Sequence, residues 1–84
     1  MSLPESQVYV VYAISSIERN YIYVGMTSNL SQRLARHNSG FEQTTKPYSP
    51  FRLLYTESCL NRDEARKREK YWKSGTGKRQ LKKL

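Results

Sequence analysis

Five side chains, widely separated along the chain, have the types needed to move protons, grip an anion and hold a cation: Tyr12, Tyr23, Arg33, His37 and Glu69. They occur in three short pieces: Tyr12 followed by Tyr23-Val24-Gly25, then Arg33-x-x-x-His37, then Arg68-Glu69-Lys70. Two of these side chains break a packing pattern. Leu30, Leu34 and His37 fall at i, i+4 and i+7, the helical stripe that should face a core, with Arg33 at its edge. Ala65, Glu69 and Trp72 repeat that spacing in a second segment. An unpaired carboxylate is costly to bury, so Glu69 must be paired, protonated, beside a cleft open to water, or bound to a cation.

Each residue also has a purely structural explanation. Glu69 could form an ion pair with Arg33, or with Arg66 or Lys73 on its own helix. A lone histidine on an apolar stripe is usually a satisfied core histidine, and Tyr12 and Tyr23 would by themselves be packing aromatics with hydrogen-bonded hydroxyls. The joint occurrence favours a site, because every polar intruder lies on an element that one small sheet can bring to a common place.

Those elements are legible from periodicity and turn chemistry. Residues 8–14 form an unbroken apolar and aromatic run, suited to a strand covered on both faces. Residues 15–20 are turn-formers, and 21–26 read as the returning strand of a hairpin, interrupted by Gly25. Thr27, Ser28 and Asn29 are competent N-caps and Gly40 a natural end, which brackets a helix of about three turns. Pro47 and Pro50 make 41–50 a loop, and 51–56 a third strand. Asn61, supported by Glu64, begins a second helix that stops at Gly75. Residues 78–84 add a short basic helix docked by Leu81 and Leu84. The order β-β-α-β-α-α predicts an α+β fold, a three-stranded, mostly antiparallel sheet flanked by helices. Residues 1–84 are expected to be a single domain, with a core over about 8–73 and a basic C-terminal segment, 74–84.

The chain has 84 residues and a formal charge of +8. Residues 61–84 carry ten Lys or Arg against three acids, a net +7, leaving +1 for residues 1–60. Such a block suits a phosphate backbone, an anionic lipid surface or plain solubility. A bilayer span needs about 20 apolar residues, and no stretch approaches that length. Met1 to Gln7 has neither a charged n-region nor an apolar h-region, so no secretion signal is expected and the protein is expected in the cytoplasm. Cys59 is the only cysteine and His37 the only histidine, which excludes an internal disulfide, a Cys/His zinc cluster and a histidine-metal nuclease. Cys59 itself reads as a small buried hydrophobe ending a strand. Asp63 and Glu64 read as complements to a helix dipole rather than as a two-metal cluster.

In order, Val10-Val11-Tyr12, Tyr23-Val24-Gly25 with Thr27, the Leu-x-x-Arg-Leu-x-x-His run from Leu30 to His37, and Arg68-Glu69-Lys70 resemble the GIY-YIG nuclease family over about residues 8–73. The texture is that of small stand-alone bacterial members, similar to the N-terminal nuclease domain of the excision-repair endonuclease, excinuclease ABC. The resemblance implies that Tyr12 and Tyr23 are the paired motif tyrosines and Arg33 the phosphate-binding arginine. It makes His37 an auxiliary polar group and Glu69 the sole protein ligand of one divalent cation, Mg²⁺ or Mn²⁺. Tyr12 is then expected to activate water while Tyr23 positions water or phosphate, with the reverse assignment open. Candidate nucleic-acid contacts are Arg36, Lys46, Arg66, Lys70, Lys73, Lys78 and Arg79. Val10 stands where the family name has Gly, and Met26 where the excision-repair members carry Lys.

The implied activity is metal-dependent hydrolysis of DNA phosphodiesters, directed by DNA structure rather than sequence and suited to repair or recombination. No helix-turn-helix or zinc finger supplies sequence readout, so a protein partner could provide target recognition. The alternatives are a non-catalytic nucleic-acid-binding module, for DNA or RNA, and a partner-dependent protein with the same fold.

Overall fold

The computed structural model describes residues 8–84; residues 1–7, read above for a secretion signal, lie outside the described residues. The elements run β1 (Tyr9–Ser16), β2 (Ile22–Thr27), α1 (Leu30–Asn38), β3 (Phe51–Cys59), α2 (Arg62–Lys73) and α3 (Gly75–Leu81). A short 3₁₀ turn, Lys46–Tyr48, precedes β3. The sheet is antiparallel throughout, with β1 in the middle of the order β2-β1-β3.

The continuous apolar run of β1 explains its central position. Val11 and Ala13 point into one core with Ala65, Trp72 and Leu81 of α2 and α3. Tyr12 and Ile14 point the other way, into a core with Phe51 that Leu30 and Leu34 of α1 cover. The sheet therefore lies between α1 on one face and the α2-α3 pair on the other, with both cores small. Alternation along a single strand decides which side chain meets which helix.

Local chemistry sets the helix boundaries. Asn29 caps α1 by accepting from the Gln32 amide at 3.2 Å, and Gly40 leaves the helix in the left-handed region at φ 81°. At α2, Asn61 accepts from the Glu64 amide at 2.8 Å while Glu64 reaches back to the Leu60 amide at 2.8 Å. Asp63 and Glu64 occupy the first turn of α2, as expected from the helix dipole.

Three features depart from the sequence reading. β3 continues past Thr56 to Cys59, because Glu57 is not a loop residue: its carboxylate accepts from Arg68, from Trp72 Nε1 at 3.0 Å and from the Tyr55 hydroxyl at 3.0 Å. The bond from Arg68 is the main cause holding that carboxyl below its usual range. Second, α3 begins at Gly75 instead of near Lys78, capped by Ser74 accepting from the Gly77 amide at 3.3 Å. Third, Leu81 is buried at 1% exposure whereas Leu84 is 66% exposed, so one leucine docks the helix and the packed core extends past Lys73.

Gly77 allows that docking. A Cβ there would press on the Tyr71 carbonyl and lie 2.6 Å from Trp72 Cα, both on the backbone of α2. Gly77→Ala is therefore expected to lever α3 away and destabilise the fold by about 1–3 kcal/mol, read as a lowered urea midpoint; an unchanged midpoint would show that α3 does not depend on the close approach.

Candidate active site

The predicted residues fall into two adjoining sets. The first is sealed beneath α1. Tyr12 sits opposite Gly25 in the β1-β2 register, and a Cβ at Gly25 would lie 2.6 Å from Tyr12 Oη. The glycine of Tyr23-Val24-Gly25 thus clears the space that the phenol occupies. Tyr12 Oη lies 2.8 Å from His37 Nε2, and His37 Nδ1 lies 2.8 Å from Thr45 Oγ1. Thr45 Oγ1 in turn donates to the Glu42 carbonyl at 3.4 Å.

That last bond orders the chain of protons. With its hydrogen directed at the carbonyl, Thr45 Oγ1 accepts from Nδ1–H, which leaves Nε2 to accept from the Tyr12 hydroxyl. Tyr12, His37 and Thr45 are all buried at 1% exposure or less. Burial is the main cause pushing the Tyr12 phenol well above its ordinary range, with Arg33 opposing it. Burial, and then the charge of Arg33, lowers the His37 imidazole. Both groups are therefore neutral at pH 7. Tyr23 is half-buried, its ring centroid 5.0 Å from that of His37 and 6.3 Å from that of Tyr12.

The second set is open to solvent. A cleft of about 490 Å³ lies where the end of β2 meets α1 and α2, and Arg33, Glu69, Arg62, Arg66 and Ser28 line it. Arg33 Nε is buried without a hydrogen-bond partner; the nearest carboxylate, Glu42, is 3.9 Å away and is already held by Arg36 Nε at 2.8 Å. Glu69 pairs with Lys73 at 3.3 Å, one turn along α2, rather than with Arg33 or Arg66. The lysine is half exposed, and an exposed i,i+4 pair contributes only about 0.3–0.5 kcal/mol, so another cation can displace it.

The donor set suits one hard divalent ion. No group of three or more His, Cys, Asp or Glu side chains converges among the described residues, so Glu69 would be the single carboxylate ligand. Water and phosphate oxygens would complete the shell of such an ion. Met26 lines this cleft without charge, and Arg62 and Arg66 supply the positive charge there instead.

The other predicted contacts are scattered. Arg36 is bound to Glu42 and Lys73 to Glu69, whereas Lys46, Lys70 and Arg79 are exposed. Lys78 turns inward, its Nζ donating to the Ile22 carbonyl at 2.9 Å, and burial lowers its pKa; it ties α3 to β2. Four residues were missed. Arg62 and Tyr9 carried a signal, since 62, 66 and 69 share a helical face and 9, 11 and 13 a strand face. Thr45 and Glu42 carried none, being loop residues whose partners lie on other elements.

His37 gives the site a pH signature. Its folded pKa lies below its unfolded value near 6.5, so its contribution to stability is complete above that value and is lost as pH falls. The wild-type urea midpoint should fall between about pH 7 and pH 5, and His37→Gln should show a shallower fall; equal slopes would remove His37 as the sensor.

A family model described as the GIY-YIG catalytic domain matches residues 8–83. A UPF0213 protein from Pediococcus acidilactici is 37% identical over 87 aligned residues, covering all of this chain and 88% of that protein. A UPF0213 protein from Clostridium perfringens is 38% identical over 61 residues, covering 71% of this chain and 66% of that one. Among solved structures, the solution NMR structure of a UPF0213 protein from Bacillus halodurans matches with a TM-score of 0.54 and 30% identity, covering 92% of this chain and 84% of that one.

Proposed function

Because the chain belongs to the GIY-YIG catalytic domain family, whose nucleases act on DNA, we propose that it is a divalent-metal-dependent DNA endonuclease. The observation that carries this reading is the pairing of opposites in one open cleft. Arg33, with a buried nitrogen lacking an acceptor, faces the same space as Glu69, the carboxylate fitted to a cation.

The residues divide the work of phosphodiester hydrolysis. Arg33 presents a planar donor fork to the phosphoryl oxygens, and its unpaired Nε acquires the acceptor it lacks when phosphate arrives. Glu69 holds Mg²⁺ or Mn²⁺, giving up its weak pair with Lys73. The bound ion would supply charge neutralisation and support for the leaving oxygen. Tyr12 does not work as a phenolate, because burial holds its proton. Its hydroxyl can instead accept a proton from water while passing its own to His37 Nε2, which Thr45 keeps oriented from the far side of the ring. Tyr23, half-buried beside both, positions water or phosphate.

No described helix is long and apolar enough to cross a membrane. We place the protein in the cytoplasm, acting on structured DNA such as nicks, branches or flaps in repair or recombination. Specificity comes from the shape of the DNA or from a protein partner.

The test is cleavage of nicked, branched and plain duplex DNA with Mg²⁺ or Mn²⁺. Glu69→Gln should abolish metal-stimulated cutting while retaining DNA binding. Arg33→Ala should slow cutting by about 10²–10³-fold, with no rescue by Arg33→Lys. Equal traces of activity in wild type and both variants would overturn the enzyme reading in favour of a non-catalytic binding module.

A further inference from the structure

The cleft is larger and more basic than a single phosphate requires. Arg33 and Glu69 account for one part of it, and Arg62 and Arg66 line the remainder from the first two turns of α2. Neither appears in an ion pair among the described residues. The acid in the cleft, Glu69, is already faced by Lys73. Three guanidinium groups thus converge on a space whose negative charge is already matched, and an anionic ligand is what neutralises them.

Spacing along α2 indicates what kind of anion. Arg62, Arg66 and Glu69 share one helical face, and the step from 62 to 66 is about 6 Å along the axis. That step is close to the separation of successive phosphates on an extended nucleic-acid strand. Tyr9 of β1 lines the same cleft, offering a half-buried aromatic ring beside the two arginines. Aromatic faces interleaved with cations are how single strands are gripped without regard to sequence.

We propose that Arg62 and Arg66 form a second phosphate subsite, which holds the phosphates next to the one bound by Arg33 and draws a single, extended strand along α2. This rests on the nuclease reading for its choice of ligand. It goes beyond that reading in naming the substrate form, a locally unpaired strand with phosphate on both sides of the scissile link. A base-paired duplex presents a rigid second strand that a cleft of this width on so small a domain does not accommodate. Nicks, flaps and frayed ends would then be preferred because their strands can peel into the groove.

The experiment reads binding, so its result does not depend on whether the protein cuts. A fluorescein-labelled single strand of about 15 nucleotides, on the order of one single-strand binding site, is titrated with wild type, Arg62→Ala/Arg66→Ala and Arg19→Ala/Arg52→Ala in EDTA over a series of salt concentrations, followed by anisotropy. Arg19 and Arg52 are exposed, lie on the β1-β2 turn and β3, and provide a control with the same loss of charge. The slope of log affinity against log salt should fall by about 1.4 for the α2 double variant, at about 0.7 per lost phosphate contact, and stay at the wild-type value for the control. Arg66→Lys should keep most of the slope, since a point charge still neutralises phosphate. An unchanged slope in the α2 variant would overturn the subsite, and so would equal falls in both double variants, which would mean that bulk charge alone sets binding. Loss of cutting by every form, with the slopes as expected, would sink the nuclease reading while leaving the strand-binding subsite in place.

Discussion

A phenol hydroxyl at the centre of a sheet with no route to water must find a partner inside the protein, and the arrangement of this molecule follows from how Tyr12 finds one. β1 is covered on both faces, so Tyr12 Oη cannot be satisfied by solvent. Its partner is His37, on the face of α1 that otherwise carries leucines. The imidazole in turn needs an acceptor for its second nitrogen, which brings Thr45 and its loop against the helix. One buried bond thereby fixes the rotation of α1, the path of the loop after it and the direction in which Arg33, one turn earlier, leaves the helix. Gly25 is part of the same constraint, because any side chain there would occupy the space of the phenol.

The outcome is a division between a dry network and a wet cleft. Protons are ordered where water is excluded and the low local dielectric strengthens each hydrogen bond. Charge is gathered where solvent and a strand can enter, with Arg33 and Glu69 lining the same opening. Arg33 connects the two halves. Its charge lowers His37 and opposes the rise of Tyr12, so the phosphate-binding group also tunes the buried pair. This coupling needs no direct contact, since charges act over longer range where water is displaced.

The opposite face shows what a purely structural polar cluster looks like in the same protein. Glu57 takes up bonds from Arg68, Trp72 and Tyr55, and the Arg68 guanidinium also lies 5.0 Å from the Tyr71 ring centroid. Every strong donor there has its acceptor. Arg68 and Glu69 are neighbours in sequence, yet one is locked against β3 and the other looks into the cleft. Full satisfaction marks the first as scaffold, and the orphaned Nε of Arg33 marks the second region as built for a ligand.

What the chain by itself determined was the set of chemical types and the faces on which they stand. Strand alternation and the 3.6-residue helical repeat are local properties, so the elements, the caps at Asn29 and Asn61, and the intrusion of His37 and Glu69 into apolar stripes could be read without coordinates. The excess of cations after residue 60 was equally plain. Only the tertiary structure decided the partners. It gave Glu69 to Lys73 rather than Arg33, turned Lys78 onto a backbone carbonyl, buried Tyr12 against His37 and brought Arg62 and Tyr9 to the cleft. The reason is that a hydrogen bond or ion pair between elements depends on distances set by packing, and packing compares all side chains at once. Periodicity assigns a residue to a face; which residue meets it there is settled by the fold.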